Sequence, residues 1–131
     1  MISLRTHNIF DYIIAAVLVA TPWIFGFSDI VRAQNLLAIC GLSLFFYSLA
    51  TKYEFSIWKL IPVSTHMALD VIVGLFVMSG PWLFGYRGLL TTGQALVHIV
   101  LGLGAVLLVT TTNKSAVLVK VETEYKIDQA A

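Results

Sequence analysis

Residues 6–27 read THNIFDYIIAAVLVATPWIFGF, and residues 65–86 read THMALDVIVGLFVMSGPWLFGY, so one unusual segment occurs twice in this chain. Each copy is followed by another long apolar run. Aligned at an offset of 59 residues, the copies share these pairs: Thr6/Thr65, His7/His66, Asp11/Asp70, Ile13/Ile72, Pro22/Pro81, Trp23/Trp82, Phe25/Phe84 and Gly26/Gly85. Self-similarity at a fixed spacing indicates a repeat architecture. The sequence therefore predicts a tandem duplication of a two-helix unit.

The composition indicates a membrane protein. The chain is 59% hydrophobic and 11% charged, outside the usual balance of soluble domains. Asp, Glu, Lys and Arg are absent from four stretches: 12–28, 33–51, 71–86 and 88–113. A transmembrane helix needs about 20 mostly apolar residues. We therefore predict an all-α integral membrane protein with four transmembrane helices, formed by two tandem two-helix repeats and embedded in the lipid bilayer.

The chain divides into three predicted parts. Residues 1–64 form the first two-helix repeat with its connection, residues 65–112 form the second repeat, and residues 113–131 form a tail. The connection, residues 52–64, mixes aromatic with charged side chains, which is typical of a segment lying at the membrane surface. The net charge of +1 leaves no basic surface for nucleic acid.

The tail alternates apolar and polar residues. The apolar positions are Val117, Val119, Val121, Tyr125 and Ile127, and the polar ones are Lys120, Glu122, Glu124 and Lys126. A period of two predicts a β-strand, which would need a partner strand from another copy or another protein. The alternative is a disordered terminus whose alternation arose by chance.

The basic residues predict the orientation. One side of the predicted membrane would hold the two termini and the connection, with Arg5, Lys52, Lys59, Lys114, Lys120 and Lys126; the other would hold Arg32 and Arg87. Cytoplasmic loops carry the excess of lysine and arginine. Both termini are therefore predicted to be cytoplasmic, and the 113–131 tail to be a cytoplasmic tail.

Each repeat carries a Pro-Trp element near the predicted outer end of its first helix. Proline lacks an amide hydrogen and clashes with the preceding turn, so we expect each helix to break or kink just before it. The tryptophans are expected at the membrane interface, and the glycines are expected to end the turn. The residues of this predicted structural motif are Pro22, Trp23, Gly26, Pro81, Trp82 and Gly85.

These elements resemble the SPW-repeat family of small bacterial and archaeal membrane proteins, in which a Ser-Pro-Trp motif lies in the first of two transmembrane helices. Here the residue before proline is Thr21 or Gly80. The resemblance covers nearly all of residues 6–112. It implies the fold and a multi-pass location in the bacterial cell (inner) membrane, but no established reaction.

Two histidine–aspartate pairs are the candidate metal ligands. His7 with Asp11 and His66 with Asp70 are spaced i to i+4, so each pair shares one helix face. The repeat would bring the pairs together, and imidazole with carboxylate suits several divalent metals. A hydrogen-bonded His–Asp cluster that fastens the two repeats is the structural alternative, and proton or ligand handling is the third.

His98 is the candidate for cofactor binding. It lies in the fourth predicted span, where the repeat alignment places Asn35 in the second. A histidine there can ligate haem or a chlorophyll-type pigment, whereas a hydrogen bond between helices is the structural alternative. The sequence contains no Gly-rich phosphate loop and no nucleophile elbow. We therefore predict no catalytic residue, and no cofactor is identified.

Three classes of function remain. The first is a structural or accessory component of a membrane assembly, without catalytic activity, that binds other membrane-protein subunits or copies of itself. The second is a small transporter or channel acting as an oligomer, because proline-interrupted helices occur at equivalent places in two repeats. The third is a metal- or cofactor-binding membrane protein that uses the His/Asp pairs. The first is the function predicted from the sequence.

Overall fold

The computed structural model describes residues 1–113 and 115–131, and for residues 116–121 it describes the backbone alone. These residues form the α-helices α1 Leu4–Ile24, α2 Val31–Ala50, α3 Val63–Leu83, α4 Thr92–Thr111 and α5 Ser115–Ala130, with a 3₁₀ turn at Arg87–Leu89. The helices α1 to α4 are each long and apolar enough to cross a membrane. Within the described ranges there is no β-strand longer than an isolated bridge. The prediction of an all-α protein with four membrane-spanning helices is confirmed.

The helices pack as two tight hairpins. Helix α1 lies along α2 and α3 lies along α4, whereas contact between the hairpins is less extensive and runs mostly through α2 and α3. Glycine permits the close approach inside each hairpin. A Cβ on Gly41 would lie 2.7 Å from the Ala15 carbonyl oxygen, and one on Gly102 would overlap the Gly74 carbonyl oxygen. Small residues at a crossing let two backbones meet, as is usual for helices in lipid.

The expectation that each helix breaks before its proline is wrong, whereas the alternative of a kink there stays a prediction. Pro22 and Pro81 lie inside the last turns of α1 and α3, which continue for two further residues. The last turn persists because the amides beyond each proline find acceptors: Phe27 N donates to Pro22 O at 2.8 Å, and Tyr86 N to Pro81 O at 3.0 Å. These bonds span six residues, which is the Schellman arrangement of a helix end.

A left-handed glycine completes each of these helix ends. Gly26 has a φ of 69° and Gly85 a φ of 67°, values that cost other residues a steric clash of Cβ with the backbone. The proline and the glycine of the repeated element therefore act together. The proline belongs to the final turn, and the glycine lets the chain leave it.

The tail is a helix, so the predicted strand is wrong. Helix α5 covers Ser115–Ala130, and its Lys126 Nζ lies 2.7 Å from Glu122 Oε1, a pair spaced i to i+4. The side chains of Val117, Val119 and Val121, which carried much of the alternation, lie outside the described residues. Alternation alone misled because a strand needs a neighbour to take its backbone hydrogen bonds, whereas a helix satisfies them within the segment.

Candidate metal centre

Helices α1 and α3 bring four ionisable side chains together inside the bundle. His7 and Asp11 come from α1, and His66 and Asp70 come from α3. One ligand atom from each lies within 4.8 Å of the other three. Their exposed fractions are 0%, 1%, 0% and 5%, so the cluster is shielded from solvent. Burying ionisable groups is costly unless they are paired or coordinate a metal. We call these four residues the His/Asp centre.

Each histidine lies against both carboxylates through its Nε2 atom. His7 Nε2 lies 3.3 Å from Asp11 Oδ1 and 3.1 Å from Asp70 Oδ2. His66 Nε2 lies 3.1 Å from Asp11 Oδ2 and 3.1 Å from Asp70 Oδ2. The centre is therefore built from contacts within each helix and contacts between the two hairpins. The sequence spacing accounted for the first kind alone.

Two threonine hydroxyls hold the opposite nitrogens of the imidazole rings. Thr112 Oγ1 lies 2.7 Å from His7 Nδ1, and Thr51 Oγ1 lies 2.8 Å from His66 Nδ1. These threonines are the C-caps of α4 and α2, so each histidine is held from the other hairpin. They are functional candidates that the sequence analysis missed. The available signal was a threonine just after the second helix of each repeat.

The threonine hydroxyl protons decide the direction of these bonds. Thr51 Oγ1 donates to the Tyr47 carbonyl at 2.6 Å, and Thr112 Oγ1 donates to the Leu108 carbonyl at 2.6 Å. A hydroxyl has one proton, so each oxygen is left to accept a hydrogen bond from the histidine. Nδ1 therefore carries the hydrogen in both rings. In the neutral ring, Nε2 then presents a lone pair toward the carboxylates.

Most of the short contacts in the centre lack hydrogen-bond geometry. Of the four Nε2–carboxylate contacts, the one between His7 and Asp70 has hydrogen-bond geometry, and it is a hydrogen bond when the His7 ring is protonated. His66 Nε2 and Asp11 Oδ2 are both buried, and neither makes a hydrogen bond to any group in the described part of the chain. When the rings are neutral, the Nε2 lone pairs and the carboxylate oxygens face one another, and a cation between them would satisfy both. The four residues are therefore a candidate metal site.

Tyr47 and Tyr53 enclose the centre. Tyr47 donates its hydroxyl proton to Asp70 Oδ1 at 2.7 Å, and its ring centroid lies 4.8 Å from that of His66. The Tyr53 ring lies at the same distance from His66 on the connection between α2 and α3. Burial, with the nearby Asp11 and Asp70 charges, raises the pKa of the Tyr53 phenol, so it stays neutral.

The connection forms a cover over this end of the bundle. Within the connection, the Tyr53 side chain points inward and is buried, while Phe55, Trp58 and Leu60 are exposed on its outer side. The segment is held down by Ser56 Oγ, which donates to the Ser48 carbonyl at 2.8 Å, among other bonds. Its amphipathic composition is that of the interfacial segment predicted from the sequence. Its buried tyrosine was not foreseen, because nothing local distinguishes Tyr53 from its exposed aromatic neighbours.

His98 belongs to a different part of the bundle from the His/Asp centre. It lies fully buried in α4, where its Nδ1 donates to the Gln94 carbonyl at 2.9 Å. Its ring lies 5.3 Å from that of Phe27 and 5.7 Å from that of Tyr86, near the Pro-Trp end. The matching position in α2 is Leu37, since helix starts and C-caps are 61 residues apart in the two hairpins. The alignment of His98 with Asn35 is therefore wrong, and the cofactor role of His98 stays a prediction.

The Pro-Trp residues lie away from the His/Asp centre, at the other end of α1 and α3. Pro22 is buried, whereas Trp23 and Trp82 expose 56% and 55% of their surface. Such exposure fits side chains that face the membrane interface. Nothing in their position involves them in the chemistry of the centre.

The chain matches the SPW repeat domain over residues 5–112, which is most of its length. It belongs to the SPW repeat family. The resemblance drawn from the two Pro-Trp elements is thus confirmed, and with the four apolar helices it makes the chain a small membrane protein. No curated protein and no solved structure matched it.

Proposed function

We propose that this SPW repeat protein binds one divalent transition-metal ion at His7, Asp11, His66 and Asp70. One observation carries the proposal: three of the four contacts between Nε2 and a carboxylate are 3.1–3.3 Å long without hydrogen-bond geometry. Neutral imidazole nitrogen and carboxylate oxygen are ligands that zinc, iron and related divalent ions accept. The metal-binding class that the sequence left as an alternative is therefore preferred here.

The spacing of the ligand atoms fits a tetrahedral ion. Metal–ligand bonds of about 2.0–2.1 Å give a tetrahedron with edges of about 3.3 Å between ligand atoms. With Asp11 Oδ2 and Asp70 Oδ2 as the carboxylate ligands, three Nε2–oxygen separations of 3.1 Å are close to that edge. The longest separation among the four atoms, 4.8 Å, would shorten as the ion draws the ligands together.

The surroundings of the histidines support the same ion. In metal sites, the nitrogen that does not bind metal usually donates its hydrogen to a neighbouring oxygen, which holds the ring in place. Thr51 and Thr112 supply those oxygens here. Asp70 is held in a similar way by Tyr47. The ligands are thus oriented before an ion arrives.

The proposed role of the ion is to hold the two hairpins together. Four protein ligands complete a tetrahedral shell, which is typical of structural sites, whereas catalytic sites keep a position open. The ligands come in equal number from α1 and α3, so the ion would join the hairpins where their direct contact is limited. We therefore propose binding and no catalytic reaction. The accessory role in a membrane assembly remains compatible with this.

Metal analysis of the purified protein tests the proposal. The protein is extracted in mild detergent, and weakly bound ions are removed. We then expect about one divalent transition-metal ion per chain by inductively coupled plasma mass spectrometry, as one tetrahedral shell requires. Asp11→Asn and His66→Gln should each lose the ion. His98→Gln is the matched control, because it removes the third buried histidine while leaving the centre intact, and it should keep the ion.

A metal-free cluster is the outcome that would refute the proposal. Two protonated histidines and two carboxylates can balance their charges and hold the hairpins as ion pairs. In that case the wild-type protein would stay empty after incubation with Zn²⁺, Fe²⁺ or Mn²⁺, and its melting temperature would not change. Bound ion that raises the melting temperature would support the proposal, because a ligand stabilises the state that binds it.

We infer that the centre lies near the cytoplasmic side of a bacterial inner membrane. The support is the excess of Lys and Arg at the end of the bundle that carries both termini and the connection. Partner subunits and self-association are proposed from the many apolar side chains on the outside of the bundle. Purification from native membranes tests them, since a single species that carries no other protein would contradict a stable assembly.

A further inference from the structure

A second set of polar groups lies unpaired beside the His/Asp centre. Asn8 and Ser48 are both fully buried, and the Asn8 amide nitrogen and oxygen and the Ser48 hydroxyl find no hydrogen-bond partner within the described residues. A buried polar group left unpaired has lost its hydrogen bonds to water without replacing them, which destabilises the folded state. Three such atoms in one small region therefore call for something that pairs with them.

The hairpin register places Asn8 and Ser48 opposite each other. Helices α1 and α2 run antiparallel, and Gly41 meets Ala15 near the middle of the hairpin. Counting seven residues from each toward the centre reaches Ser48 on α2 and Asn8 on α1. Asn8 also lies one turn from Asp11, because residues spaced i to i+3 are neighbours on a helix. Asp11 Oδ2 is itself without a hydrogen bond in the described structure.

The second hairpin closes the same level with apolar groups. In the second hairpin, Gly102 meets Gly74 at the position that corresponds to Gly41 and Ala15. Counting seven residues from each toward the His/Asp centre reaches Val109 on α4 and Met67 on α3. Both are buried and pack in one cluster with Tyr53, whose hydroxyl is also buried without a hydrogen-bond partner in the described structure. The first hairpin thus carries two polar side chains, Asn8 and Ser48, where the second carries the apolar Met67 and Val109.

We propose that Asn8 and Ser48 hold water that connects Asp11 with the aqueous phase at this end of the bundle, and that ions reach the His/Asp centre by this path. Water is a suitable occupant because it both donates and accepts, as an amide and a hydroxyl require. The Met67–Val109 side stays closed, since an ion crossing apolar side chains must lose its hydration. The part that concerns metal entry rests on the proposed function.

Silver ions test the water path without reference to the bound metal. The single native cysteine is first removed by Cys40→Ala, and then Ser48→Cys or Val109→Cys is introduced as a matched pair. Ag⁺ travels with water and blocks thiols, and the thiols left free are counted by maleimide labelling after unfolding. The cysteine at position 48 should be blocked at least about tenfold faster than that at 109, because desolvation opposes entry into apolar packing.

Equal and slow blocking at both positions would overturn the path. It would mean that Asn8 and Ser48 bond to each other in the protein and that no water separates them. Faster blocking at 109 would overturn it as well, because the open side would then be the second hairpin. Both results are independent of whether the His/Asp centre holds a metal.

Metal exchange tests the entry step. The double variant Asn8→Met with Ser48→Val gives the first hairpin apolar residues like those that the second carries at the same places. It should keep the same metal content and release the ion to a chelator about tenfold more slowly, since the hydrated path is gone. Ser48→Ala is a milder variant in case the double one fails to fold, and it should slow release in the same direction. Release at the wild-type rate with full metal content would refute the entry path, whereas an empty wild-type protein would refute the proposed function.

Discussion

Replacing Thr51 with valine removes one hydroxyl and keeps nearly the same shape. His66 Nδ1 then loses the acceptor that lies 2.8 Å away, and the ring is fully buried, so water does not replace it. Leaving a buried donor unpaired costs about 1–3 kcal/mol. The ring would also lose the bond that fixes its orientation and keeps the hydrogen on Nδ1. Both effects weaken Nε2 as a ligand.

The expected loss is large enough to measure. Removing a partner that orients a metal ligand typically lowers metal affinity by about 10- to 100-fold. Each factor of ten corresponds to about 1.4 kcal/mol, so this range agrees with the cost of the unpaired donor. Thr112→Val should cause a similar loss through His7, since Thr112 Oγ1 lies 2.7 Å from His7 Nδ1.

Competition with a chelator of known affinity measures the effect in detergent. Thr111→Val is the matched control, because Thr111 is exposed in the same last turn and its hydroxyl bonds the Leu107 carbonyl. Thr51→Ser should restore most of the affinity, since it returns the hydroxyl. If Thr51→Val and Thr112→Val bind the ion as tightly as the control does, the threonines do not orient metal ligands.

Two further predictions concern the bundle itself. Gly102→Ala should lower the melting temperature in detergent, because the added Cβ would overlap the Gly74 backbone. Gly104→Ala is the control, because the space there is open, and it should change the free energy of unfolding by no more than about 0.5 kcal/mol. Equal melting temperatures of the two variants would contradict the tight crossing. Single cysteines in a Cys40→Ala background at Ser28 should react with an impermeant reagent added outside the cell and at Ser56 should not, and the reverse pattern would overturn the proposed orientation.

The four spans could be predicted from the sequence because the relevant physics is local. Apolar runs of sufficient length without charges must be helical in lipid, since each backbone group needs a partner within the segment. The i to i+4 spacing likewise placed His7 with Asp11 and His66 with Asp70. Predictions from local sequence pattern failed where the hydrogen-bond partners of the backbone decide the conformation. The prolines stay helical because later amides find acceptors, and the tail became helix α5 although its pattern alternates.

The composition of the candidate centre depended on tertiary structure. The arrangement of the two hairpins set each histidine beside the carboxylate of the other hairpin. It also brought Thr51 and Thr112 from the ends of α2 and α4 to the far side of the rings. The sequence itself determined the four apolar helices, their membrane setting and the two His–Asp pairs. The distances among these groups, the tautomer of each histidine and the unpaired atoms at Asn8 arise from contacts between residues distant in the chain, which no periodicity or spacing encodes.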